Sequence, residues 1–122
     1  RFHLGFDIGY PNTFDRAYQR TGDYLMVHGN CVSIGCFAMT DKKVEEIYTL
    51  ADAALNGGQR IFRVHCFPFR MTDKRMKKAA EDDEEKVWLS FWENLREGYQ
   101  WFEKEKRPPN VEVKEKRYVF EE

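Results

Sequence analysis

The residues best suited to chemistry sit in one run, His28-Gly29-Asn30-Cys31-Val32-Ser33-Ile34-Gly35-Cys36-Phe37-Ala38-Met39. Three uses of that run are open. A thiol near its ordinary pKa of about 8.5 is mostly protonated at neutral pH, and it needs an imidazole or a helix N-terminus to become a nucleophilic thiolate. His28 can serve as that base for Cys36, and a helix beginning near Asp41 would turn its positive end toward the same stretch. Gly35 would let the backbone approach a substrate and leave N–H groups free as an oxyanion hole. In the second use His28, Cys31 and Cys36 bind zinc with His65 or Cys66, although the paired C-x-x-C spacing of common zinc sites is missing. In the third, Cys31, Cys36 and Cys66 are simply small buried hydrophobes.

These groups need elements to hold them. Phe2, Leu4, Phe6 and Ile8 alternate with His3, Gly5, Asp7 and Gly9, which predicts a strand with one buried face. Pro11 marks a loop, Thr13 to Gln19 a short helix, and Tyr24 to Val27 a second strand that ends at His28-Gly29. Residues 30–40 are irregular. Val44, Ile47, Tyr48, Ala51, Ala54 and Leu55 then recur at helical spacing, with Thr40 or Asp41 as N-cap and Gly57-Gly58 as the stop. Arg60 to Phe67 is expected to be a strand, with Phe62, Val64 and Cys66 on one face and Arg63 and His65 on the other. Met71-Thr72-Asp73 opens another helix, much as Met39-Thr40-Asp41 opens the earlier one, because Thr and Asp are what N-caps require. The acidic run from Glu81 to Glu85 reads as a solvated loop or a helix start. Trp88, Phe91, Trp92, Leu95, Tyr99 and Phe102 form a helical stripe expected to be core. Pro108-Pro109 ends it, and residues 111–120 read weakly as a strand or tail.

Composition narrows the classes. The 122 residues suit one domain, and 20 basic against 21 acidic side chains leave a charge of −1, which disfavours nucleic acid as a partner. No run of about 18 apolar residues is present, so no helical membrane span is expected. Three cysteines are too few for a disulfide scaffold, and their odd number leaves a thiol to explain.

The order His28-Gly29, then Ser33-x-Gly35-Cys36, then Met39, resembles the catalytic signature of the YkuD-type L,D-transpeptidases. The flanks resemble the YafK-like branch of that family: Phe2-His3-Leu4, Tyr10-Pro11-Asn12, Thr21-Gly22, Leu25-Met26-Val27-His28-Gly29-Asn30, Met39-Thr40-Asp41 and Phe67-Pro68-Phe69-Arg70-Met71-Thr72. The resemblance covers residues 2 to about 109. It implies Cys36 as nucleophile, His28 as proton acceptor and donor, and Ser33 and Gly35 in the oxyanion hole and in orienting the loop. Only seven residues separate His28 from Cys36, a shorter loop than many members have. Ala38 stands where members often carry Arg or Asn. The substrate contact then falls to Arg63, His65 or Arg70.

The fold class that follows is α+β: a mostly-β YkuD-like catalytic core lacking its first strands, residues 1–70, with an appended helical C-terminal region, residues 71–122. The implied function is cysteine-dependent acyl transfer on peptidoglycan stem peptides, through a thioester at the third-position diamino acid. The alternative within the same site is hydrolysis, as a carboxypeptidase or as an amidase releasing a peptidoglycan-bound lipoprotein. The alternative of another class is a non-enzymatic zinc-binding or interaction module. The resemblance implies no cofactor and no metal, peptidoglycan stems and, for the amidase alternative, a peptidoglycan-linked lipoprotein as partners, and a periplasmic or envelope location in a Gram-negative bacterium. In that oxidising compartment only a Cys31–Cys66 bridge would leave Cys36 free.

Overall fold

The computed structural model describes residues 4–20, 22, 25–29 and 37–122. It divides into two compact units, Arg1–Val64 and His65–Glu122. Helices and sheets are both present, so the chain is α+β.

The first unit is built on a three-stranded sheet in the order β1-β2-β3, with β1 at Gly5–Asp7, β2 at Met26–His28 and β3 at Phe37–Ala38. β1 and β2 are antiparallel, with Gly5 opposite His28 and Phe6 opposite Val27. β2 and β3 are parallel, with Val27 opposite Phe37 and His28 opposite Ala38. Between β1 and β2, helix α1 (Thr13–Ala17) starts with a reciprocal cap: Asp15 N–H donates to Asn12 Oδ1 at 2.9 Å, and Asn12 N–H donates to Asp15 Oδ2 at 3.1 Å. Such a cap satisfies donors that the first turn cannot. Helix α2 (Asp41–Asn56) packs on β1 and β2 through Val44, which is 0% exposed. Its N-cap is Thr40, whose hydroxyl accepts from Lys43 N–H at 3.2 Å, and Gly57 closes it.

In the second unit Thr72 caps α3 (Asp73–Glu81), with Met76 and Ala79 buried. The acidic run ends α3 at Glu81 and forms the turn that follows: Asp82 accepts from the N–H groups of Glu84 and Glu85 at 2.8 and 2.9 Å, and these bonds hold its carboxyl below the ordinary range. The chain then passes through one 3-10 turn (Lys86–Trp88) into α4 (Leu89–Glu105). Residues 110–121 form an antiparallel hairpin, β4 (Asn110–Lys114) and β5 (Arg117–Glu121), where the pattern suggested only a strand or tail. Its two turn residues, Glu115 and Lys116, have φ of 51° and 60°. That is the left-handed pair a two-residue hairpin turn demands, here made without the usual Asn-Gly.

Two expectations are corrected. Among the described residues Arg60 to Phe67 carries no strand pairing, and a period-two run becomes a strand only when another strand takes up its backbone groups. Cys66 is accordingly exposed rather than buried beside Phe62 and Val64. The aromatic stripe of α4 is also only partly core: Trp88 is 52% and Phe102 44% exposed. α4 makes two contacts instead of one. Trp92 and Tyr99 meet Phe69 and Phe67 edge to face, at 5.1 and 5.4 Å between ring centres. Another side of the helix buries Asn94 and Gly98 against β5.

Gly98 is required by that contact. A Cβ placed there would lie 2.6 Å from Cε1 and 2.9 Å from Cζ of Phe120. In an open helix Gly→Ala stabilises by about 1 kcal/mol. Here the overpacking reverses the sign, and Gly98→Ala should cost about 1–3 kcal/mol in chemical denaturation. Adding Phe120→Leu should recover part of the loss; a Gly98→Ala variant more stable than the parent would contradict the contact.

Candidate functional site

His28 ends β2, the middle strand of its sheet, and is 1% exposed. An imidazole so deeply buried needs partners for its ring nitrogens. Nδ1 lies 2.6 Å from the carbonyl oxygen of Gly29. A carbonyl only accepts, so Nδ1 carries the proton and donates it. In the neutral ring Nε2 is then the atom with a lone pair, the form a general base requires.

The backbone around the ring is fixed from both neighbouring strands. Gly29 N–H donates to Leu4 O at 2.8 Å, and Met39 N–H donates to His28 O at 2.7 Å. β3 begins at Phe37, the residue that follows Cys36 in the chain, and Phe37 pairs with Val27. β3 itself was missed in the sequence, since two residues are too short for a periodicity to register.

The remaining expected residues divide by place. Cys31, Ser33, Gly35 and Cys36 lie outside the described residues, and so does the zinc set that includes Cys31 and Cys36. Arg63 is an exposed residue of the first unit. His65 and Arg70 belong to the second unit, His65 half-buried with its ring edge toward Phe67 at 6.1 Å, and Arg70 exposed. Sequence reasoning did not find the Gly29 carbonyl as the partner of His28, because a backbone acceptor leaves no signature in residue type.

Cys66 is a free thiol. Although the residue is exposed overall, burial of its sulfur pushes the thiol above its ordinary value. A raised pKa means less thiolate at neutral pH. Alkylation of Cys66 should therefore run at a midpoint above about 8.5, read by peptide mapping across pH. A midpoint below that value would show a positive neighbour that the packing does not supply. For His28, NMR of the ring nitrogens should report the Nδ1–H tautomer in the neutral protein; the Nε2–H tautomer would break the assignment of the Gly29 bond.

No protein-family model matches the chain. The sequence is 44% identical over 119 residues to "Putative L,D-transpeptidase YafK" of Escherichia coli (strain K12), and equally to the protein of that name from Escherichia coli O157:H7. Each alignment takes in 98% of this chain and 47% of the relative, so the chain spans about half the length of the curated relatives it matches. The match therefore spans nearly the whole of this chain, not one short motif. The chain belongs to the YafK-like L,D-transpeptidase family.

Proposed function

We propose that this chain carries out cysteine-dependent acyl transfer on peptidoglycan stem peptides, on a YkuD-like core. His28 Nε2 takes the proton of Cys36, and the thiolate attacks the carbonyl at the L-centre of the third-position diamino acid. A C–S bond forms as the C–N bond to the following D-residue breaks, and His28 returns its proton to the departing amine. An amine of a second stem then resolves the thioester, with water as the competing acceptor. Ser33 and Gly35 orient the loop and supply the oxyanion hole. Arg63, His65 and Arg70 are the cationic or hydrogen-bonding groups offered to the stem. No cofactor enters these steps. The substrate places the enzyme in the periplasm or envelope.

The observation that carries this reading is the state of His28. A buried imidazole whose Nδ1–H donates to a carbonyl has Nε2 as its basic nitrogen when neutral, the tautomer that proton transfer from a thiol requires. The family relationship supplies the reaction class.

Cys36→Ala should abolish turnover and leave the fold intact, since one small side chain replaces another. His28→Ala should raise the Cys36 thiol pKa and lower turnover about 10²–10⁴-fold. Full activity in either variant would end the reading. Defined muropeptides, incubated with and without an amine acceptor and read by mass spectrometry, separate the outcomes: crosslinked dimers mean transfer, and shortened stems alone mean hydrolysis.

A further inference from the structure

We infer that Gly5 is a positioning residue for His28, the bare position on β1 that sets where the imidazole sits. The inference rests on the proposed role of His28 as base.

Gly5 stands opposite His28 in the β1–β2 ladder. Gly29 N–H donates to Leu4 O and Ile8 N–H donates to Leu25 O, so Leu4/Gly29 and Ile8/Leu25 are hydrogen-bonded pairs. Antiparallel ladders alternate such pairs with closer ones that exchange no bonds, where Cα atoms lie about 4.5 Å apart. Gly5/His28 is one of the close pairs. A Cβ at Gly5 would lie 3.1 Å from His28 Cβ, 3.1 Å from Met26 Cε and 3.1 Å from Val27 O. Those separations are tighter than ordinary van der Waals contact, so something must move by tenths of an ångström.

The backbone of β2 resists moving. The carbonyl of His28 is held by Met39 N–H, and the next N–H by Leu4 O. His28 itself is enclosed. The remaining freedom is the tilt of its side chain, and a small shift at Cβ is amplified at Nε2, the ring's far nitrogen. Gly5 is not there for backbone freedom, since its φ lies outside the left-handed region. A strand glycine without that need marks a close approach of neighbouring atoms. Catalytic groups tolerate displacements of about 0.5 Å before rates fall. Gly5 therefore acts on the chemistry through His28 and does not itself touch the substrate.

The test compares Gly5→Ala with Phe6→Leu in the protein as expressed. Phe6 is on the same strand but faces Val27 in the ladder and meets Phe62, so Phe6→Leu weakens packing without pressing on His28. Three readouts are taken: imidazole nitrogen NMR shifts, the pH profile of Cys36 alkylation between about pH 5 and pH 9, and turnover. Gly5→Ala should move the His28 nitrogen signals, raise the midpoint of Cys36 alkylation and lower kcat about tenfold with KM nearly unchanged. Phe6→Leu should leave all three near the parent values. If Gly5→Ala does not fold alone, Gly5→Ala with Met26→Ala removes the thioether methyl while keeping the pressure on His28, and is read the same way. Folded variants with parental imidazole signals and a parental alkylation profile would overturn the inference. The NMR readout separates it from the functional reading: moved imidazole signals stand whatever His28→Ala does to turnover, whereas full activity in His28→Ala removes the catalytic role alone.

Discussion

The bond from His28 Nδ1–H to the Gly29 carbonyl is the interaction on which the first unit turns. A buried ring nitrogen left without a partner costs about 1–3 kcal/mol, a large share of the stability of a small domain. The partner here is the carbonyl of the very next residue, so Nδ1 is satisfied locally. That carbonyl hangs from Gly29, so the His28–Gly29 peptide that leads to it must hold one orientation. β1 and β3 provide it, one through the Leu4 carbonyl and the other through the Met39 N–H. α2, seated through Val44, packs on β1 and β2. The short sheet is thus a clamp on one peptide unit, and the imidazole inherits its geometry from that clamp.

The second unit solves a different problem. Its hairpin has an open edge at β5, with backbone groups that must find partners. Asn94 meets them from α4. Its Nδ2 donates to Tyr118 O at 2.9 Å, and its Oδ1 accepts from Tyr118 N–H at 2.9 Å. A side-chain amide has the donor and acceptor of a peptide group, so Asn94 stands in for a residue of a third strand. It is 2% exposed, and an aliphatic residue there would strand two backbone groups. Gly98, one turn on, lets the helix come close enough for that pairing. Arg96 ties the same helix to the start of α3, donating to Met71 O at 2.8 Å and pairing with Asp73 at 2.6 Å. Arg75 adds a partly buried pair with Glu85 at 2.6 Å while its guanidinium lies 4.0 Å over the Phe69 ring.

What the sequence disclosed follows from the range of the forces involved. Thr40 and Thr72 announced their helices because a cap is a contact between residues three apart, written wholly in local sequence. His28 stood out for the same reason, as part of a compact motif. Asn94 did not: its partner is 24 residues away, and alone it looks like a solvated polar position. The hairpin was obscured because Glu115-Lys116 adopts left-handed backbone that those residue types disfavour, and only the cross-strand register compensates for the strain. The run from Arg60 to Phe67 misled in the opposite direction. Its alternation describes which side chains would share a face, but pairing depends on atoms elsewhere in the chain.

The same distinction explains why the motif around Cys36 is informative although Cys36 lies outside the described residues. β2 and β3 are parallel neighbours, and parallel neighbours are usually joined by a crossover of a dozen residues or more. Here His28 closes β2 and Phe37 opens β3, with eight residues between them. The ladder holds Phe37 opposite Val27, one residue before His28, so the two ends of that connection are about 6 Å apart, one strand spacing across and one residue along. Eight residues could extend several times that distance. The ladder has therefore already met the entropic cost of bringing the ends together. His28 and Phe37 are fastened to the same sheet by backbone bonds. Side-chain identity within the connection can then vary while the sheet keeps His28 in place.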